Sequence, residues 1–396
     1  MKIVKLNPKR DYSTLQRHPW IFSGAIASVS TEPTRGETVM VTSAEGKPLG
    51  LGAYSPDSQI RVRMWTFNEG ETVDEAFFKA RLERALLVRA DFMERFSTDA
   101  LRLVNAEADG LPGVTIDRYG DVLVGQFATA GAEKYKAQMA ELLLSMTGCS
   151  SFYERSDGEG RKREGLEPSN GLLAGVEPPE HLIIHEGEVR FEVNVREGHK
   201  TGFYLDQREN RRLVASYAKG ASVLNAFSYT GGFGIASLVA GAASVTHIDL
   251  SATALEQAKV NTALNVSADD TRSEFIQENV FQELRAFRDC ARSFDLVVLD
   301  PPKFAETRVQ TMKALRGYKD VNLLGIKLVR KGGILATFSC SGAIEAKMFR
   351  TVVAEAAHDA KREVQILHEL RQAPDHVETL TFPEGLYLKG LLCRVW

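Results

Sequence analysis

From about residue 196 the sequence alternates short apolar runs with amphipathic stretches, a rhythm that few folds accept. Apolar runs at 222–227, 244–249, 273–277, 294–300 and 333–339 predict strands. Stretches at 232–240, 252–265, 281–287, 309–330 and 344–359 predict the helices between them. Buried strands joined by helices give a mainly parallel sheet wound on both faces, an α/β architecture. Two last runs, 363–372 and 386–396, have no helix between them, which predicts an antiparallel pair closing the sheet.

Upstream the pattern differs. Strands at 20–22, 38–41, 49–54 and 60–65, punctuated by Glu45-Gly46-Lys47-Pro48 and Ser55-Pro56-Asp57, predict a small β barrel or sandwich. Arg61 and Arg63 share one face of its last strand, because side chains alternate. Thr72-Val73-Asp74-Glu75 reads as a capping box opening a helix to about Phe96, with Phe78, Leu82, Ala85 and Leu86 buried. Strands at 101–105, 113–117, 122–127, 151–154, 182–185 and 189–195, with a helix at 133–146, make an α+β middle domain. The charged run 155–164 reads as a solvated, mobile loop, with a lid or a nucleic-acid contact as the lesser alternative. At about 100–200 residues per domain, the expected division is a β-barrel domain over 1–70, the middle domain over 71–195 and the α/β domain over 196–396.

Composition removes several classes. Hydrophobic residues at 44% and charged residues at 26% exclude a disordered, collagen-like or coiled-coil chain. The longest near-apolar stretch, 234–245, has 12 residues. A membrane helix needs about 20, so none is expected. The opening residues 1–8 lack an apolar signal core, and a cytoplasmic protein is expected. Cys149, Cys290, Cys340 and Cys393 are widely spaced, with no C-x-x-C pair. That predicts reduced thiols and no metal site. The net charge of −3 divides into +4 over residues 1–66 and −7 over the rest. A basic small domain suits a phosphate-rich partner, although chance gives such an excess too.

Four loops at the predicted C-terminal strand edge hold the chemistry, where ligands sit in open α/β folds. The first is Asn225-Ala226-Phe227-Ser228-Tyr229-Thr230-Gly231-Gly232-Phe233-Gly234. Its glycines allow close backbone approach to a ligand and open a helix whose N–H groups face it; a tight structural turn would look alike. Asp249 ends the second strand, 18 residues after Gly231, where a carboxylate can accept from both ribose hydroxyls of a nucleoside. Asn279 follows the third strand and suits either an adenine edge or a helix cap. The fourth strand delivers Asp300-Pro301-Pro302-Lys303-Phe304, a carboxylate before a rigid loop that offers carbonyls. The fifth ends in Cys340-Ser341-Gly342, just before the helix expected near Ile344, whose N-terminus would favour thiolate. Thiol, acid and nucleoside together suggest covalent activation of cytosine: thiolate adds at C6 and C5 becomes nucleophilic.

These segments resemble the motifs of class I S-adenosylmethionine methyltransferases. Lys200–Asn210, the opening Arg17-His18-Pro19-Trp20-Ile21-Phe22-Ser23-Gly24 and the ending Phe382–Gly390 resemble more narrowly the bacterial 23S rRNA cytosine-C5 methyltransferase family of the RlmI type. The resemblance implies an N-terminal PUA-like RNA-binding barrel and a Rossmann-like catalytic domain. It implies Cys340 as nucleophile and Asp300 as site acid. It implies S-adenosyl-L-methionine held by Phe203, Gln207, Phe227, Ser228, Thr230, Gly231, Gly232, Asp249, Leu250, Asn279, Val280 and Asp300. Arg17, Arg61, Arg63 and Lys303 would contact 23S rRNA, naked or in a large-subunit precursor; no DNA or membrane partner is implied, and a homodimer is left open. Asn279 departs from the family, which usually has Asp there. Glu278-Asn279-Val280 spells a DNA-methyltransferase tripeptide, but on the wrong strand. Two rivals remain: an rRNA guanine methyltransferase, which needs no thiol, and a non-catalytic RNA-binding assembly factor.

Overall fold

A computed structural model describes residues 1–305 and 308–396. The chain divides into two compact units. The first comprises Met1–Ile184, Val193–Leu205 and Pro374–Gly385; the second comprises His185–Glu192, Asp206–Ala373 and Leu386–Trp396.

In the first unit, six short strands form one sheet in the order Trp20–Phe22, Ile60–Thr66, Pro48–Tyr54, Thr38–Thr42, Ile3–Leu6, Ile26–Val29. Val4, Val39, Val41, Val62 and Met64 fill its core. Ile3–Leu6 and Ile26–Val29 are additions to the predicted strands; at four residues each, they are too short for alternation to register. A second sheet runs Ser169–Gly175, Ser151–Ser156, Val122–Phe127, Val114–Tyr119, Ala100–Asn105. Helices Glu75–Val88 and Ala130–Thr147 contribute Phe78, Leu82, Met139 and Leu143 to the core it shares with Phe127 and Phe152. Asp74, rather than Thr72, caps the first helix, accepting from Phe77 N at 3.0 Å. That helix stops at Val88, short of Phe96.

The segment 155–164 fits the expectation of a solvated loop only in part: residues 157–160, 162 and 163 are exposed, and the rest are not. Arg155, Arg161 and Glu164 are all buried. Arg161 donates to Glu133 at 2.8 Å and to the Phe127 carbonyl, and Arg155 donates to the Val195 carbonyl at 2.8 Å. Glu164 accepts from Arg63 Nη1 at 2.7 Å, Ser55 Oγ at 2.7 Å and Ala130 N at 3.2 Å. A run containing both signs can bury alternate members when each finds a partner, and composition cannot show that.

The second unit carries a seven-stranded sheet. Its strands in chain order are β1 (Ser222–Ala226), β2 (Ser244–Asp249), β3 (Ser273–Gln277), β4 (Phe294–Leu299), β5 (Val329–Ser339), β6 (Val364–Arg371) and β7 (Lys389–Val395). Their order across the sheet is β3-β2-β1-β4-β5-β7-β6. The first five are parallel, and β7 runs antiparallel between β5 and β6, as predicted. Both faces are covered. Leu299, Leu335, Tyr318 and Phe349 pack on one face, and Val298, Ala336, Phe233 and Phe338 on the other. The helices are α1 (Arg208–Ala215), α2 (Gly232–Val239), α3 (Ala252–Ala263), α4 (Val280–Asp289), α5 (Thr311–Leu328) and α6 (Ala346–Ala360). The order reverses between β1 and β4, so the loops after those strands flank the crevice where an open α/β sheet binds its ligand.

Candidate active site

After β1 the chain turns sharply into α2. Phe227, Tyr229 and Gly231 have φ of 59°, 48° and 90°. A left-handed non-glycine residue costs on the order of 1–2 kcal/mol, so this turn persists because its surroundings fix it. Ser228 N donates to the Ile248 carbonyl at 2.9 Å, and Asn261, fully buried on α3, donates to the Thr230 carbonyl at 3.1 Å. Gly234 lets α2 approach the sheet: a Cβ there would lie 2.8 Å from Val245 Cγ1 and against the His247 ring.

Asp249 ends β2 beside this turn. Its Oδ2 accepts from Tyr229 N at 2.8 Å and its Oδ1 from Ser251 N at 2.9 Å. One backbone donor on each oxygen aims the carboxylate and leaves each a lone pair. Leu250 is exposed and Val280 is buried. Asn279 caps α4 through Oδ1, which accepts from Phe281 N at 3.0 Å and Gln282 N at 3.3 Å. The oxygen that would meet an adenine amino group is thus engaged, and its amide NH₂ is the group that could face a base. Phe203 lies in the first unit, where its N–H bonds the Tyr119 hydroxyl at 3.1 Å.

Asp300 follows β4, and its Oδ2 accepts from Gln207 Nε2 at 3.1 Å. Asn210 fixes that amide: its Nδ2 donates to Gln207 Oε1 at 2.6 Å and to the Arg371 carbonyl at 2.9 Å. The register Leu299↔Thr337 brings Asp300 and Cys340 to the same edge of neighbouring strands. Cys340 is half-buried. Sequence reasoning placed a helix N-terminus beside the thiol, and the structure corrects this. Helix α6 starts at Ala346 with Glu345 at its cap, six residues past Cys340, and a helix dipole fades within its first turn. The cation near the thiol is Lys389, paired in register with Ser339. Its Nζ donates to the carbonyls of Ser341 at 2.7 Å and Ile344 at 2.6 Å. Burial brings its pKa down to about 8, with Cys340 opposing the shift and Lys303 adding to it. Lys389 and Asn210 escaped the sequence reading; a lysine inside the apolar run 386–396 was the available signal.

The RNA candidates separate by exposure. Arg17 and Lys303 face solvent. Arg61 is half-buried, donates to the Pro56 carbonyl and lies 5.9 Å from the Tyr54 ring centroid. Arg63 is a correction: its side chain is 11% exposed and neutralised by Glu164, so it does not offer its charge to a phosphate. Sharing a face with Arg61 says nothing about which face is buried.

The sequence pattern of the S-adenosylmethionine-dependent methyltransferase family matches residues 159–391, and that of a PUA-like domain matches residues 4–67. A protein of Shewanella denitrificans named ribosomal RNA large subunit methyltransferase I is 50% identical over 395 residues, 99% of each chain. An Escherichia coli protein of the same name is 47% identical over 386 residues, 98% of this chain and 97% of its own. The chain belongs to the ribosomal RNA large subunit methyltransferase I family. The solved structure of SMU.776 complexed with SAH shares the fold at a TM-score of 0.86 and 20% identity, covering 100% of both chains.

Members of this methyltransferase family use S-adenosylmethionine, and the β1–α2 turn fits it. Ser228 Oγ and Thr230 Oγ1 are buried in that turn with no hydrogen-bond partner. An unmet buried hydroxyl costs about 1–3 kcal/mol, which a polar ligand would recover. The aimed Asp249 carboxylate adds the acceptor that a ribose needs. Among the described residues, no group of three or more His, Cys, Asp or Glu could hold a metal, and no helix is long and apolar enough to cross a membrane.

Proposed function

We propose that this protein methylates C5 of a cytosine in 23S rRNA through a covalent adduct between Cys340 and C6 of the base. The observation that carries the reading is the thiol and the carboxylate at one edge, Cys340 after β5 and Asp300 after β4. Guanine methylation needs no thiol. The substrate class rests on the names of the relatives and on the PUA-like match.

In this reading Gly231, Gly232, Phe227, Ser228, Thr230, Asp249, Leu250, Asn279 and Val280 hold the cofactor. When bound, S-adenosylmethionine supplies an electrophilic methyl group and leaves as the neutral thioether. Cys340 thiolate attacks C6, forming the S–C bond while the ring π electrons move toward N3. Asp300, oriented by Gln207, meets the N3 edge as a proton donor or hydrogen-bond partner. C5 becomes nucleophilic and takes up the methyl group. A base then removes the C5 proton, the S–C6 bond breaks, and the thiolate returns. Arg17, Arg61 and Lys303 hold RNA phosphate, and the proposed division of labour is RNA binding in 1–70, support in 71–195 and catalysis in 196–396, in the cytoplasm. The test is methyl transfer from labelled cofactor to total RNA, followed by mapping. Labelled 5-methylcytosine in 23S rRNA is expected; label on a guanine would contradict the reading.

A further inference from the structure

A lysine in a sheet interior needs a reason. Lys389 is 7% exposed, and no carboxylate among the described residues forms an ion pair with it. Two of its three ammonium protons go to the Ser341 and Ile344 carbonyls, at 2.7 and 2.6 Å. These bonds pin the turn that begins one residue after Cys340. The turn has further ties: the Tyr318 hydroxyl of α5 meets Ser341 Oγ at 3.1 Å, and Ala305 N reaches the same oxygen at 3.4 Å. Carbonyls alone compensate a buried ammonium poorly. A thiolate would complete its environment, and Cys340 is near enough for its charge to act on the lysine.

We propose that Lys389 is the positioning residue of Cys340: its ammonium fixes the turn 341–344 and provides the positive charge against which the thiolate forms. This rests on Cys340 being the nucleophile. The thiol proton leaves to solvent, and Lys389 supplies its charge below its own pKa of about 8. Other charged or titratable groups surround the pair. Lys303 comes from the loop after β4 and Tyr318 from α5; burial raises the Tyr318 phenol, keeping it neutral. Lys347 and Arg350 of α6, with Glu369 and Arg371 of β6, line a cavity of about 260 Å³ that Lys389 also borders. Arg350 and Glu369 pair at 3.2 Å, which leaves the cations Lys347 and Arg371 on that side. Asp300 is held by Gln207. Lys389 favours the ionised thiol, while the Asp300 carboxylate at the same edge, oriented but not neutralised by Gln207, works against it.

The test is the pH dependence of iodoacetamide alkylation at Cys340, read by mass spectrometry of its peptide, in the full chain without RNA. An ordinary thiol titrates near about 8.5. The wild-type midpoint should fall below that. Lys389→Met should raise it by at least one unit, roughly tenfold less thiolate at neutral pH. Lys389→Arg, whose charge cannot titrate away, should hold it near the wild-type value. A purely structural tie would change the limiting alkylation rate but not the midpoint. A wild-type midpoint at or above the ordinary value, or an unmoved midpoint in Lys389→Met, overturns the proposal. If Lys389→Met fails to bind S-adenosylmethionine and has thus lost its fold, the wild-type and Lys389→Arg midpoints still decide. Methylation by Cys340→Ala would sink the cytosine reading instead, and alkylation midpoints are blind to that outcome.

Discussion

Asp249 is aimed rather than merely present. Tyr229 N and Ser251 N each occupy one of its oxygens, at 2.8 and 2.9 Å, which turns the remaining lone pairs outward. Charge-assisted hydrogen bonds contribute about 1.5–3 kcal/mol each. Asp249→Ala should therefore weaken S-adenosylmethionine binding at least tenfold in calorimetry, and unchanged affinity would remove Asp249 from the cofactor site. His247 is the opposite case, a titratable group kept out of play. It is fully buried, stacked 4.8 Å from the Phe275 ring, and burial pushes its pKa down to about 3. Between that value and the unfolded value of about 6.5 the unfolded chain binds a proton that the native state refuses, so acid erodes stability. From pH 7 to pH 5 the loss is on the order of 2 kcal/mol. His247→Leu should unfold with a flatter dependence on pH over that window in denaturant titrations; an identical slope would contradict the burial argument.

Whole elements were more legible in the sequence than individual partnerships. Strands β2 and β3 lie at their predicted bounds, and β1 and β4 end within one residue of theirs; β1 and β4 are the buried ones with largely apolar sequences, while β3 at the sheet edge has no buried residue. The turn after β1 was legible too: its glycines and Asp249 stand at strand ends, as their spacing predicted. What the sequence hides is pairing across distance. Glu164 and Arg63 stand 101 residues apart, and nothing local links them. Gln207 and Asn210 orient Asp300 from 93 and 90 residues away, and Tyr318 and Lys389 tie Ser341, the residue after Cys340, from two other elements. The buried pair has a measurable consequence. Removing one partner of a buried pair costs about 3–5 kcal/mol; here Glu107 stays 3.9 Å from Arg63 Nε, but the Ser55 hydroxyl and the Ala130 N–H lose their acceptor as well. Glu164→Ala should lower stability by that much in chemical denaturation. Glu159→Ala, which breaks an exposed pair with Lys162 in the same segment, should leave stability unchanged within the error of the same measurement. Equal effects would restore the picture of a solvated loop.

At the scale of the molecule, charge and chemistry belong to different stretches of chain. The residues 1–66 carry the positive excess, while cofactor turn, acid and thiol all follow residue 206. If Arg17 and Lys303 meet phosphate, replacing either by Gln should weaken binding to 23S rRNA fragments and reduce the salt slope by about one. Arg63→Gln should act on stability instead; a reduced salt slope with stability intact would return Arg63 to the RNA-binding set. The central claim is the covalent adduct at Cys340. Fluorine at C5 cannot leave as a proton, so an adduct that has accepted the methyl group cannot collapse. Substrate RNA containing 5-fluorocytosine should form a denaturation-resistant complex with the wild-type protein only when S-adenosylmethionine is present. Cys149→Ala, Cys290→Ala and Cys393→Ala should form it as well, and Cys340→Ala should form none while still binding cofactor. A Cys340→Ala protein that crosslinks or methylates normally would contradict the account.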